Sequence, residues 1–256
     1  MCTIIFVFEP EAHRPLLLAA NRDEFYSRPS TIPRVFDEPV PFVAGQDLLA
    51  GGTWLGVRAD GMLAAVTNWH VPTDDYADRT SRGRLVAQVL QHEDANSAKD
   101  WLLQFKRNPY RPFNLLFGAP TQLFIAYGRD SISIDSVAPG FSVLPNGPLN
   151  DPKNPKVQRA RQLYDASVGT LPMNHLLRDI LKDTTTADSS SQPGSMPEAL
   201  AALHVTTPDY GTRSSTHMTF AADSVIEYHH REGPSQHGEY VDMTELFANL
   251  TTTADG

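Results

Sequence analysis

Two spacings of apolar residues run along this chain. Residues 2–8 and 15–20 are short apolar runs separated by Glu9-Pro10-Glu11, and they predict two adjacent strands of a buried sheet joined by a turn. A second pair of runs, 53–58 and 62–67, flanks Ala59-Asp60-Gly61. Asp-Gly between apolar runs predicts a hairpin, because glycine reaches positive φ without steric cost. The period then changes. Leu85, Val86, Val89 and Leu90 recur at helical spacing, as do Trp101, Leu102 and Phe105, with Asp94-Ala95-Asn96-Ser97 between them as a capping region. Segments 113–117, 122–127 and 131–136 predict a meander of antiparallel strands. Helical stripes return at Val157, Ala160, Leu163 and Tyr164, then at Met173, Leu176, Leu177, Ile180 and Leu181. Two last strands are predicted at 216–221 and 225–231, and the polar stretch 183–197 predicts a linker or mobile loop. Strands and helices follow one another in blocks, without strict βαβ alternation. The expected class is α+β, or a layered α/β/β/α arrangement with mainly antiparallel sheets.

Composition narrows the function classes. A chain of 256 residues that is 41% hydrophobic and 20% charged suits one large globular domain or two small ones. The formal charge of −9 argues against a nucleic-acid-binding surface, where a basic footprint is expected. The single cysteine excludes an internal disulfide and cysteine-only zinc sites. No apolar run approaches the ~20 residues of a membrane helix, and the start lacks the pattern of a secretory signal or transit peptide. The expected location is cytoplasmic, with organelle association left open.

The candidate chemistry begins at Cys2. Removal of the initiator methionine would leave a terminal cysteine carrying its own base, since an α-amine with a reference pKa of ~7.7–8.0 accepts a proton near neutral pH. The plainer reading of Cys2 is a small buried hydrophobe. Asn21-Arg22-Asp23-Glu24 closes the second apolar run. In an extended segment Asn21 and Asp23 share one face, and an inward Asp23 could hold the amine of Cys2; the alternative is a polar turn with Arg22 in a salt bridge. Asn68 at a strand end suits an oxyanion donor or a turn residue. Asn146 in Leu144-Pro145-Asn146-Gly147-Pro148 reads as a turn. Arg213 could anchor a carboxylate, orient the nucleophile, or lie on the surface. Gly51-Gly52-Thr53-Trp54 lacks the lysine of a P-loop, and the consecutive His229 and His230 face opposite ways on a strand, so no metal site is expected.

Met1-Cys2-Thr3, the Asn21-Arg22-Asp23-Glu24-Phe25-Tyr26-Ser27-Arg28-Pro29 segment, Gly51-Gly52-Thr53-Trp54-Leu55-Gly56 and Thr67-Asn68 together resemble the NRDE family, also called the transport and Golgi organisation protein 2 family. Ser81-Arg82-Gly83, Phe113-Asn114-Leu115-Leu116, Leu144-Pro145-Asn146-Gly147-Pro148 and Tyr210-Gly211-Thr212-Arg213-Ser214 extend the likeness in order along essentially the whole chain, as a single domain over 1–256. The resemblance implies a four-layer αββα fold of the N-terminal-nucleophile hydrolase type, related to choloylglycine hydrolase and penicillin V acylase. It implies Cys2 as nucleophile, Asp23 as the carboxylate that orients the amine, and Asn68 as oxyanion donor. Asn146 would support the nucleophile, Arg213 would match a late arginine, and Asn21, Arg22 and Trp54 would contact substrate.

Fold likeness alone does not give a function. Members of the family are linked to secretory-pathway organisation, to lipid and acyl-CoA metabolism and to haem mobilisation, so two classes stay open. One is a cysteine hydrolase acting on an amide or thioester of an acyl substrate, with no required cofactor. The other is a non-catalytic carrier of a small hydrophobic ligand, either haem or an acyl-CoA lipid. Cys2, His70, His217 and the methionines are the candidate haem-iron ligands. Stretch 183–197 departs from the family pattern.

Overall fold

Strand β1 (Cys2–Phe8) shows how the layers arise. Its even positions Ile4, Phe6 and Phe8 enter a core between two sheets, while Ile5 and Val7 enter a different core beneath helices. A strand buried on both faces reads as a continuous apolar run. The computed structural model describes residues 2–9, 11–69, 76, 78–186, 198–248 and 250.

The first sheet has six antiparallel strands. It joins β1 and β2 (Leu16–Phe25) to β10 (Gly140–Leu144), β11 (Tyr210–Phe220), β12 (Val225–Glu232) and β13 (Val241–Asp242), in the order β10-β1-β2-β11-β12-β13. The second is a seven-stranded meander in chain order: β3 (Arg34–Phe36), β4 (Phe42–Ala44), β5 (Leu55–Val57), β6 (Leu63–Asn68), β7 (Phe113–Ala119), β8 (Gln122–Gly128) and β9 (Ile132–Ser136). Leu18, Met218 and Phe220 from the first sheet meet Val57, Ala65 and Leu116 from the second in one shared core.

Helices cover both outer faces. α1 (Arg82–Leu90) and α2 (Ala95–Leu103) pack Leu85, Val89 and Leu102 onto the meander, against Phe42, Ala64 and Phe117. α3 (Pro155–Ser167) and α4 (Met173–Ile180) pack Val157, Ala160, Leu176 and Ile180 onto the six-stranded sheet, against Ile5, Ala19 and Val143. The layering is therefore α, β, β, α. Asp94 caps α2 by accepting from the Ser97 N–H at 2.8 Å, as the Asp94-Ser97 spacing predicts. A short α5 (Glu245–Ala248) follows the last strand.

The structure alters two sequence expectations, both about where strands begin and end. β2 does not end at residue 20 but continues through Asn21-Arg22-Asp23-Glu24, because β1 pairs Cys2 with Arg22 and β11 pairs alongside as far as Phe25. β11 starts at Tyr210 instead of 216, for the same reason. Of stretch 183–197, Asp183 is anchored by Arg159 at 2.7 Å, and 187–197 lie outside the described residues. No helix among the described residues is long and apolar enough to cross a membrane.

Candidate active site

Alternation along β1 places the Cys2 side chain on the inner face, in line with Ile4, Phe6 and Phe8, and its cross-strand partner is Arg22. The thiol opens onto a cavity of about 410 Å³ whose wall includes Arg22, Trp54, Asn68 and Arg82. A volume in this range suits a small organic ligand. Burial pushes the Cys2 thiol above its ordinary pKa; the Asp23 carboxylate adds to this, while the Arg22 guanidinium and the Asp23 backbone N–H oppose it. At neutral pH the sulfur therefore holds its proton until a base removes it.

Arg22 is fixed from three sides. It stacks over Trp54 at 4.2 Å, donates to Ser30 Oγ at 3.0 Å and lies 3.7 Å from Asp47 Oδ2. Arg28 makes the shorter contact to that carboxylate, 2.7 Å. Across the cavity, Asn68 ends β6 on the meander. The turn before α1 reaches the same wall through Ser81, Arg82 and Gly83. Gly83 and Gly52 pass so closely that a Cβ on Gly83 would lie 3.0 Å from the Gly52 Cα, and the Thr53 N–H donates to the Gly83 carbonyl at 3.1 Å. Side chains at either position would push these two walls apart.

The cavity reverses the sign of the whole chain. Five arginines (Arg22, Arg28, Arg79, Arg82 and Arg111) line it with two acids, Glu24 and Asp47, while the Asp23 carboxylate turns to the other face of β2. Arg82 is pushed down to about 10, mainly by burial and then by its neighbour Arg111. Two guanidinium groups held that close favour an anion between them.

Asp23 lies on the other face of β2 from the Cys2 thiol, and its carboxylate is fully buried. Thr212 Oγ1 donates to Oδ1 at 2.7 Å and Lys156 Nζ donates to Oδ2 at 3.0 Å, while a second bond from Lys156 reaches Thr3 Oγ1 at 3.1 Å. Lys156 is itself completely buried, so the two charges neutralise each other out of water.

The remaining predicted residues separate by distance from the cavity. Asn146 stands one layer behind, where its Nδ2 donates to the Asn68 carbonyl at 2.9 Å. Asn21, expected to contact substrate, points to the helix side: its Nδ2 donates to the Leu181 and Leu203 carbonyls, both at 2.9 Å, and its Oδ1 accepts from Ser215. Alternation along β2 puts it there. Arg213 binds the carbonyls of Tyr26 and Arg28 at 2.6 and 3.0 Å and lies 3.6 Å from Glu232, so it secures the loop after β2 and is not part of the cavity wall. His70 lies outside the described residues. Cys2 and His217 fall on opposite faces of the six-stranded sheet, which prevents them from sharing one iron.

Lys156, Arg82 and Arg111 escaped the sequence reading. Lys156 carried a legible signal, because it lies four residues before Ala160 and beside Val157 and so extends an apolar helical stripe. A cation in the first turn of a helix also opposes the macrodipole, which marks it as held by something else. Arg82 and Arg111 carried none; only the folded chain brings them together.

A family model described as "TANGO2: Transport and Golgi organisation 2" matches residues 1–233. The human "Transport and Golgi organization protein 2 homolog" is 31% identical over 259 residues, covering 90% of this chain and 92% of its own. Its counterpart from Bos taurus is 33% identical with the same coverage. Among solved structures, the mutant C2A conjugated bile acid hydrolase from Clostridium perfringens superimposes with a TM-score of 0.59 at 12% identity, covering 96% of this chain and 93% of that one. A Caenorhabditis elegans N-acylethanolamine-hydrolyzing acid amidase ortholog gives 0.56 at 12%, covering 85% and 92%. At that identity the structural likeness establishes the fold, which is that of the N-terminal-nucleophile hydrolases.

Proposed function

The chain belongs to the transport and Golgi organisation 2 family, and from that premise we propose that it is a cysteine hydrolase cleaving an amide or thioester of an acyl substrate. One observation carries the reading: the chain's sole cysteine opens β1 with its thiol on the wall of a cavity that also presents Asn68 and a cluster of arginines. The two structural neighbours are, by name, a conjugated bile acid hydrolase and an N-acylethanolamine-hydrolyzing acid amidase ortholog.

In this mechanism Met1 is removed and the free α-amine of Cys2 takes the thiol proton, as the raised thiol pKa requires. The thiolate attacks the substrate carbonyl, forming a C–S bond and a tetrahedral oxyanion. Asn68 Nδ2 and the Asp23 backbone N–H would donate to that charge. Collapse expels the amine or thiol leaving group, which takes the proton from the α-ammonium. Water, deprotonated by the same amine, then attacks the thioester and frees the acid. Asp23 is the anchor that keeps the start of β1 in register, through Lys156 and Thr3. The arginine wall selects substrates carrying a carboxylate or phosphate beyond the scissile bond.

Intact mass of the purified protein shows whether Met1 is gone. Incubation with a panel of anionic acyl amides and acyl thioesters is then followed by product release and by the mass of any acyl adduct on Cys2. Cys2→Ala should abolish turnover and adduct while the protein stays folded. A retained methionine, or full turnover by Cys2→Ala, refutes the mechanism. Saturable binding that survives Cys2→Ser without any product would instead establish the carrier reading.

A further inference from the structure

We propose that the cavity between α4 and the outer face of β11 and β12 is a second ligand site, taking a small dianionic oxyanion of the phosphate and sulfate class. This cavity, about 560 Å³, lies on the helix-covered side of the six-stranded sheet, away from the cysteine. Its wall carries His175, Arg178, Lys182, His217, His229 and His237.

His217 is the central observation. It is 6% exposed, and neither ring nitrogen has a hydrogen-bond partner among the described residues. Buried polar groups are nearly always bonded, so an imidazole with both nitrogens open at a cavity wall is a site waiting for a partner. His229 Nδ1 is buried without a hydrogen-bond partner in the same way, and so is Arg178 Nε, whose ion-pair partner Asp179 stands 3.7 Å away. Whatever its tautomer, a neutral imidazole has one N–H to donate, and the guanidinium has another. Once protonated, His217 donates from both nitrogens, and with the Arg178 N–H the partner that satisfies them is an acceptor of several hydrogen bonds.

A metal ion does not fit. The His217 and His229 rings stack at 4.5 Å with an interplanar angle of 11°, so their in-plane lone pairs leave side by side and do not converge on a point. No group of three or more metal-ligating side chains among the described residues could hold an ion. An oxyanion fits better, because it accepts parallel N–H donors and competes with Asp179, 2.9 Å from Lys182 and 3.7 Å from Arg178, for the two cations. The same wall carries two acids, Glu227 and Glu239; the Glu227 Oε2 already accepts from Thr219 at 2.9 Å and Asn174 at 3.3 Å.

Binding should couple to protonation. His217 faces His229 and Glu227 from β12, His175 and Arg178 from α4, and Tyr240 and Asp242 beyond β12. Without a ligand the imidazolium is disfavoured first by burial and then by its neighbours His229 and Arg178, with the Glu227 carboxylate working the other way. A dianion reverses that balance, so affinity rises as pH falls.

The test uses sulfate, whose charge is constant from pH 5 to 8, added to the full-length protein while the histidine Cε1–H resonances are followed by NMR. His217 and His229 should shift saturably, with tighter binding at pH 6 than at pH 7.5. Arg178→Gln and His217→Gln should each weaken binding at least tenfold, and Arg82→Gln, altered in the cysteine cavity, should leave these shifts in place. Shifts that fail to saturate, or that are unchanged in Arg178→Gln, overturn the site. Saturable Zn²⁺ binding to the same histidines with no response to sulfate overturns the ligand class.

Discussion

Substituting Lys156 by methionine removes one half of an ion pair with no exposure to water on either side. At the observed 3.0 Å and an effective dielectric of about 20, the attraction lost is roughly 5–6 kcal/mol. Part of that is offset because the ammonium no longer has to be desolvated. Breaking one side of a buried pair costs about 3–5 kcal/mol, mostly from the charge left behind. Here the Thr212 hydroxyl still donates to Asp23, which places the expected loss at the lower end, about 3 kcal/mol. Against a total stability of about 5–15 kcal/mol, that is a large fraction. Urea unfolding followed by tryptophan fluorescence should show a lower midpoint at unchanged slope, with a fall in Tm of roughly 6–12 °C. The double variant Asp23→Asn/Lys156→Met removes the stranded charge and should regain at least about 1.5 kcal/mol over Lys156→Met alone. If Lys156→Met costs less than about 1 kcal/mol, or if the two substitutions simply add, the pair is not the anchor described here.

Further outcomes follow from other positions. Alkylation of Cys2 by iodoacetamide should keep accelerating above the pH at which an ordinary thiol levels off, since burial raises the thiol pKa; a plateau near pH 8.5 would contradict it. His217, held down to about 4 mainly by burial against an unfolded value near 6.5, makes the native state resist protonation. Its contribution is complete above about pH 6.5 and is lost as pH falls towards 4, up to ~3 kcal/mol, so stability should drop less over that window in His217→Gln, as urea midpoints will show. Gly83→Ala forces apart the backbones of Gly52 and Gly83 and should cost about 1–3 kcal/mol, with loss of whatever turnover the Cys2 cavity supports. Asn154 caps α3 by accepting from the Lys156 N–H at 3.0 Å, and Asn154→Ala should cost about 1 kcal/mol by thermal unfolding.

The elements legible in the sequence were those whose burial leaves a periodic trace. β1, the hairpin of β5 and β6, the β7–β9 meander and all four long helices could be read from apolar spacing, and Asp94 marked the start of α2. What escaped has a physical cause. The polar half of β2 and the first half of β11 carry Asn21, Asp23, Thr212 and Ser215, which are buried because they bond one another and the helix side, and a hydrophobicity pattern does not register burial of that kind. β3 and β4, of three residues each, lie in a proline-punctuated stretch too short to show a period. Of the site, Cys2, Arg22, Asp23, Trp54 and Asn68 could be named from motifs; the side chains of Cys2, Arg22, Trp54 and Asn68 line one cavity, while the Asp23 carboxylate points to the helix side. Alternation also sorted Asn21 and Asp23 onto one face and Arg22 onto the other, although it could not say which face met the cavity. The cationic wall was invisible, since Arg22, Arg82 and Arg111 converge from β2, α1 and the segment before β7.

The partners of Asp23 set a timetable for biogenesis. Lys156 stands 133 residues after it and Thr212 stands 189 residues after it. β1 is an interior strand whose second edge is closed only by β10, near residue 140. At translation rates of roughly 5–20 residues per second, the amino end stays reachable for about 7–28 s before β10 has even been synthesised. An aminopeptidase working on the nascent chain has that interval in which to act, before β10 and β11 close the sheet around β1 and β2.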